Sequence, residues 1–356
     1  MMAPLVVAQS RVFLVDLNQG RETAAATADK ILHEGPFSVM QKDRAPTSGD
    51  KHDYMSQAPY FWPDSKSPNG LPYLRRDGER NPEINKITDH ANMDRVSRDT
   101  RTLATAYHFT HDENYAARAA LLLRAWFLDA ETRMNPNLRY AQAIPGINDG
   151  RGIGIIESRG LVGVVDAAGL LAGSKSWTAD DEKGLEKWFA DFLNWLQTSK
   201  NGIDESNTTN NHGTFYDVQI ADLALFTGQR ELAVHTLQEA KTKRIAAQVQ
   251  ADGRQPRETE RTRGLSYSVM NLDGMMQLAR LAQDVDVDLW NFQTPDGRGI
   301  RKALDWLIPY VMGDAKWHYQ QIDPFHPAEF IPLLERAAAA YHDDRYHVLA
   351  AQLEKK

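Results

Sequence analysis

The sequence predicts an all-α fold built from antiparallel helix hairpins, and three observations carry that expectation. Apolar residues recur with a helical period over most of the chain from residue 84 onward, and strand-like alternation is scarce. A weak internal echo also joins two turns. Phe109-Thr-His-Asp-Glu-Asn-Tyr-Ala-Ala-Arg-Ala and Phe226-Thr-Gly-Gln-Arg-Glu-Leu-Ala-Val-His-Thr both read as a helix end, a tight turn and an Ala-rich helix start. Repeated hairpins without heptads make an α/α array, which either stays open as a solenoid or curls into a toroid. An irregular all-α domain is the bland alternative.

In chain order, residues 1–36 read as a lead-in helix. Residues 93–109 form an amphipathic helix through Val96, Leu103, Ala106, Tyr107 and Phe109, and 115–127 follow as its hairpin partner. Further helices are expected over 158–172, 180–198, 212–226, 231–249, 265–284, 299–311 and 330–353. Thr178, before Ala-Asp-Asp, is an N-cap candidate, and Gly228 suits the left-handed residue after a helix. Trp177, Trp188, Trp195, Trp290 and Trp306 fall at helical positions and read as core. Two segments break the pattern: 47–82, rich in Pro, Gly, Asp and aromatics, and 135–154, rich in Gly, Asn and Arg. Loops this long are functional or disordered. Tyr54, Tyr60, Phe61, Trp62 and Tyr73 argue for order, because such rings need a surface to pack on.

Composition bounds the function. With 356 residues, 42% hydrophobic and 25% charged, and with no linker-like run, the chain reads as one domain spanning 1–356. No stretch reaches the roughly 18 apolar residues that span a bilayer, so no membrane partner is expected. The absence of cysteine removes disulfides, thiolate metal sites and thiol nucleophiles. A formal charge of −7 gives no global attraction to nucleic acid. Met1-Met2-Ala3-Pro4 and the apolar Leu5 to Val7 lack a basic region before them, so no intact secretory signal is read there.

Two stretches carry chemistry. In Asn207-Thr-Thr-Asn-Asn-His-Gly-Thr-Phe-Tyr216, three amides and an imidazole crowd the start of an apolar helix. The bland reading makes them caps and a structural histidine. In Arg254-Gln-Pro-Arg-Glu-Thr-Glu-Arg-Thr-Arg-Gly-Leu-Ser-Tyr267, arginines lead into another apolar helix, and the bland reading is a solvated face. Together they suit one reaction. In a polyuronate the C5 proton lies α to a carboxylate, and it becomes removable when donors stabilise the developing dianion. Amides, imidazole and guanidinium are such donors. A tyrosine whose phenolate is favoured by a nearby arginine can take that proton and return it to the leaving O4.

Lys51-His-Asp-Tyr-Met-Ser-Gln-Ala-Pro-Tyr-Phe-Trp-Pro63, Asn148-Asp-Gly-Arg-Gly-Ile-Gly-Ile-Ile-Glu157, Asn210-Asn-His212 and the 261–267 segment resemble the alginate lyase-like superfamily of polysaccharide lyases. The resemblance runs from about Phe37 to Phe325. It implies an (α/α) toroid or incomplete barrel, β-elimination without a metal or other cofactor, and an anionic polysaccharide as partner. It assigns Asn211 and His212 to the carboxylate, Arg261 to tuning Tyr267, and Tyr267 to the base and acid, with His212 as the alternative group for the proton transfer. Tyr54, Tyr60, Trp62, Arg151, Glu157, Asn210, Arg257 and Arg263 are expected to bind substrate.

Two features depart from the family. Its best-known alginate lyases carry the arginine seven residues before the tyrosine, which here is Glu260, and their arginine-rich lid is replaced by the 54–80 loop. Mannuronate-rich alginate and glucuronan share C4 and C5 configuration, so both remain open as substrates. A monomer in the periplasm or outside the cell is the accompanying expectation. The alternative enzyme is a glycoside hydrolase on the same toroid, with Glu157 and Asp217 as carboxylates; a non-catalytic sugar-binding scaffold is a third reading. His52-Asp53, His108 with His111, and His318 with His326 do not form a recognisable metal motif.

Overall fold

The computed structural model describes residues 12–15, 17 and 20–355. Among them run thirteen α-helices: α1 Arg21–Asp29, α2 Asp89–Thr110, α3 Glu113–Leu123, α4 Val162–Leu170, α5 Ala179–Thr198, α6 Lys200–Ser206, α7 Asn211–Phe226, α8 Arg230–Ala240, α9 Pro256–Thr259, α10 Gly264–Gln283, α11 Ile300–Met312, α12 Ile331–Tyr341 and α13 Asp344–Leu353. Successive pairs pack on their neighbours: α2 on α3 and α4, α7 on α4, α5 and α8, and α10 on α7 and α11. The result is an α/α toroid. Buried apolar side chains from Phe13 to Leu353 form a continuous core, in which Phe127, Trp188 and Phe189 meet with ring centroids 4.8–5.5 Å apart.

Local chemistry explains the helix ends. Thr178 caps α5 in a reciprocal pair with Asp181, and Gly228 follows α7 at φ +73°. Three expectations need correction. Residues 330–353 are two helices, because His342 adopts a left-handed conformation and Asp343 caps the next helix by accepting from Arg345 N. Residues 158–172 begin in a 3-10 segment, Gly152–Leu161, before α4. The lead-in helix is confined to α1 among the described residues, while the reading of residues 1–7 as lacking a leader lies outside them. Of the five tryptophans read as core, Trp177, Trp188 and Trp290 are buried, whereas Trp195 and Trp306 are half-buried.

The two long loops are ordered against each other. Strand β1, Met55–Gln57, pairs in parallel with β4, Tyr140–Ala143, and β2, Phe61–Trp62, pairs antiparallel with β3, Leu74–Arg75. No helix among the described residues is long and apolar enough to cross a membrane.

Helices α7 and α10 pack side by side. Thr214 and Asn271 both donate to Gln248 Oε1, and Gly274 lies against Thr214 and Phe215. Asn211 lies about one turn before Thr214, and Tyr267 one turn before Asn271. The two chemically loaded sequence stretches meet through Glu258, whose carboxyl accepts from Asn211 and whose carbonyl accepts from Arg261 N, so the starts of α7 and α10 lie close together.

Candidate active site

Asn211 and His212 open α7, and buried acids orient both. Glu258 Oε1 accepts from Asn211 N at 2.6 Å and Oε2 from Asn211 Nδ2 at 2.7 Å. Burial pushes the Glu258 carboxyl up, against those two hydrogen bonds. His212 Nδ1 lies 2.8 Å from Oε1 of the fully buried Glu205 side chain. A carboxyl partner at Nδ1 favours the tautomer with its proton there and leaves Nε2 as the acceptor nitrogen. Arg244, fully buried, holds the preceding turn: it pairs with Asp217 at 2.7 Å and donates to Thr208 O and Ser206 O at 2.6 and 2.8 Å. A Cβ at residue 213 would stand 2.2 Å from Arg244 Nη1, so glycine is required there.

Tyr267 lies in the first turns of α10. Its OH is 2.7 Å from the Tyr60 OH, and the Arg261 guanidinium carbon sits 4.3 Å from its ring centroid. The structure thus places Arg261, rather than the exposed Glu260, against the tyrosine. The expected net pull towards phenolate is corrected. Burial, then Tyr60, push Tyr267 above the ordinary tyrosine value, and Arg261 offsets only part of this. Asp77 explains the weakness of that pull. It accepts from Arg261 Nε at 3.0 Å and Nη2 at 2.8 Å, neutralising much of the guanidinium field. Burial raises the Asp77 carboxyl, but Arg261 and Arg75 outweigh it and hold the group at about 2.

Both long loops bring residues to the site. Tyr60 lies in the turn before β2 and Trp62 in β2; Trp62 is half-buried, with Arg76 over its ring at 5.2 Å. Arg151 donates to Gln142 Oε1 at 2.7 Å, stacks 5.1 Å from the Phe61 ring, and leaves its buried Nε without a partner. Burial pushes its pKa down, with Glu157 opposing. Asn210, the α7 N-cap residue, makes no capping bond and keeps a buried, unpaired Oδ1. Arg257 is exposed on α9, and Arg263 lies 3.2 Å from Asp323.

Two expected substrate contacts are corrected. Tyr54 is completely covered and donates to Glu157 Oε2 at 2.7 Å, and Ser56 donates to the same oxygen at 2.6 Å. Tyr54 and Glu157 therefore fix β1 from inside and offer no surface to a sugar. Asp217, the second carboxylate of the hydrolase alternative, is committed to Arg244.

Sequence reasoning missed Asp77, Gln142, Glu205 and Glu258. Only Gln142 carries a local structural sign, a non-glycine φ of +49° beside the cleft. His90, 4.0 Å from Glu157 Oε1, was likewise unflagged. Among the described residues no group of three His, Cys, Asp or Glu side chains is placed to hold a metal ion.

Comparison with known proteins adds a family to this geometry. The profile described as alginate lyase matches residues 38–318. A crystal structure of an alginate lyase from Bacteroides ovatus is 42% identical with a TM-score of 0.90, over 94% of this chain and 89% of that one. Alginate lyase A1-III from Sphingomonas species A1 is 16% identical with a TM-score of 0.56, over 94% and 91%. A variant of A1-III complexed with a tetrasaccharide gives 16% and 0.59, over 95% and 92%. The two A1-III structures share the fold. No curated protein sequence matches. With most of its length matched by the profile and its backbone superposing closely on the Bacteroides enzyme, the chain belongs to the alginate lyase family and is a polysaccharide lyase.

Proposed function

We propose that the protein cleaves a β-1,4-linked polyuronate, mannuronate-rich alginate or glucuronan, by β-elimination. The observation that carries this reading is that Glu258 joins Asn211 at the start of α7 to Arg261 just before α10, with His212 and Tyr267 each beside one of them. The start of each helix favours negative charge. Asn211 and His212 are assigned to the substrate carboxylate, where charge develops as the C5 proton leaves, and Arg261 to Tyr267. The C5–H electrons form the C4=C5 double bond, the C4–O4 bond breaks, and O4 takes a proton, so no water is consumed. In the first assignment the Tyr267 phenolate removes the C5 proton and returns it to O4. One residue can do both because those atoms lie on one face of manno- and gluco-configured uronates.

A second assignment has its own support. Tyr267 is held neutral in the resting site, and the Glu205 contact leaves His212 Nε2 free. His212 would then take the C5 proton and Tyr267 would act only as the acid. The pH dependence of kcat/KM separates the two. A rise continuing above about pH 10 marks tyrosinate as base; a rise complete by about pH 8 marks the imidazole.

Tyr60, Trp62, Arg151, Asn210, Arg257 and Arg263 are assigned to flanking sugars. Asn210 Oδ1 and Arg151 Nε are buried polar atoms still able to take a hydrogen bond. The same reading has one domain acting as a monomer in the periplasm or outside the cell. The test is a panel of mannuronan, glucuronan and guluronan followed by ultraviolet absorbance of the 4,5-unsaturated uronate. Mannuronan or glucuronan should generate the chromophore and guluronan, inverted at C5, should not. New reducing ends without the chromophore would indicate hydrolysis and overturn the proposal.

A further inference from the structure

Helix α10 begins without a cap of its own. Its N-cap residue is Arg263, which makes no side-chain capping bond, and a helix start leaves backbone N–H groups in need of acceptors. Here the acceptors come from a segment more than fifty residues further along. Gly264 N donates to Gln320 O at 2.9 Å, and Leu265 N and Ser266 N donate to Gln321 Oε1 at 3.0 and 3.4 Å. Gln321 Nε2 in turn donates to Ser266 Oγ at 2.8 Å and to Asp323 O at 2.9 Å. On the other side of the cap, Ile322 N donates to Thr262 O at 2.9 Å, and Arg263 pairs with Asp323. The 320–323 segment therefore grips residues 262–266 on both sides of the helix start. Tyr267 is the next residue.

We infer that Gln321 is a positioning residue for Tyr267: one side chain stands in for the missing N-cap and fixes the turn from which the phenol projects. This rests on the assignment of Tyr267 to proton transfer. Without Gln321, two N–H groups of the first turn lose their acceptor and the turn loosens. A displacement of the phenol by about 1 Å from its working position can cost on the order of a hundredfold in rate. The Gln321 side chain bonds Leu265, Ser266 and Asp323, none of them assigned to sugars, and its backbone bridge to Arg263 does not depend on the side chain, so the loss should fall on kcat.

The experiment compares Gln321→Leu and Gln321→Glu in the full chain, on whichever polyuronate the parent cleaves. Gln321→Leu should lower kcat about 10- to 100-fold with KM within about twofold. Gln321→Glu keeps an acceptor for both N–H groups at the positive end of a helix and should restore most of kcat. Its new charge, close to Tyr267, should move the pH limb belonging to the phenol upward. Parental kcat and pH profile in Gln321→Leu would overturn the inference, as would equal losses in both variants that track loss of folded protein. If Gln321→Leu does not fold, Gln321→Glu decides alone: parental kcat with an unmoved limb rejects the role. Should Tyr267→Phe keep its activity while Gln321→Leu loses it, the assignment of Tyr267 fails and Gln321 acts through another group.

Discussion

The two halves of the site are held in different ways. Asn211 and His212 are set from below by groups closed off from solvent: Glu258, Glu205, and the Arg244–Asp217 pair under the turn. Tyr267 and Arg261 are set from the side by loop residues that solvent reaches. Tyr60 and Asp77 come from the 54–80 loop, and Gln321 from the segment after α11. The first half is built as the helices pack. The second is completed when distant loops close over α10. A polymer must enter and leave, and in the proposed mechanism the contacts that solvent reaches lie on the half assigned to the leaving oxygen.

The largest effect expected from this comparison is Tyr267→Phe. Only the hydroxyl goes, so substrate affinity and the melting temperature should stay close to parental while kcat falls by about 10²–10⁴. Steady-state kinetics on the cleaved polyuronate decides it, and a variant keeping more than a tenth of kcat would remove Tyr267 from the chemistry. The buried half should answer in stability instead. Arg244→Met strands Asp217 in the interior and should cost about 3–5 kcal/mol, read by denaturant unfolding; replacing Asp217 by Leu as well should recover most of it. A single variant as stable as the parent would show that the turn before α7 is held by its other contacts.

Asp77→Asn probes the loop-held half. The folded Asp77 carboxyl is depressed to about 2, so its contribution to stability is present above the unfolded value near 4 and is lost as pH falls from there through about 2. The variant should lack that acid-side loss. Removing the negative charge also strengthens the pull of Arg261 on Tyr267, so any limb of kcat/KM that reports the phenol should move to lower pH. Melting curves between pH 2 and 5 and a pH–rate profile measure both; a limb that moves upward would contradict the proposed balance of charges.

What was legible in the sequence follows the range of the interactions. The 93–109 helix shows in its own apolar period, and Thr178 and Gly228 act on neighbours within a few residues. The Asn-Asn-His and Arg-to-Tyr stretches stood out because each concentrates its chemistry locally. Asp77 and Gln321 left no such trace, because they meet Arg261 and the start of α10 across 184 and 56 residues of chain. Glu205 is only seven residues from His212, yet a helix break lies between them and no single periodicity links the two. The aromatic loop was misread for another reason. Tyr54 stands just before β1 and is turned inward onto Glu157, whereas Tyr60 lies in the turn after β1 and meets Tyr267, and composition cannot tell those two placements apart.

The smallest effect should come from Tyr60→Phe, and it sharpens the comparison most. The Tyr60 hydroxyl is the one group bonded to the Tyr267 hydroxyl among the described residues, and it helps hold that phenol above the ordinary tyrosine value. If Tyr60 serves as a latch on the resting site, substrate displaces it before proton transfer and its loss costs little at the transition state. Tyr60→Phe should then change kcat by less than about tenfold, well short of the loss of an acid or base. Because a group that raises Tyr267 has been removed, a phenol-dependent limb of kcat/KM should move to lower pH. If Tyr60 instead carries the proton between Tyr267 and solvent, its loss should approach that of Tyr267→Phe, and the two variants combined should cost no more than either alone. That outcome would make the loop part of the proton path and would erase the distinction between a fixed catalytic helix and an adjustable strap.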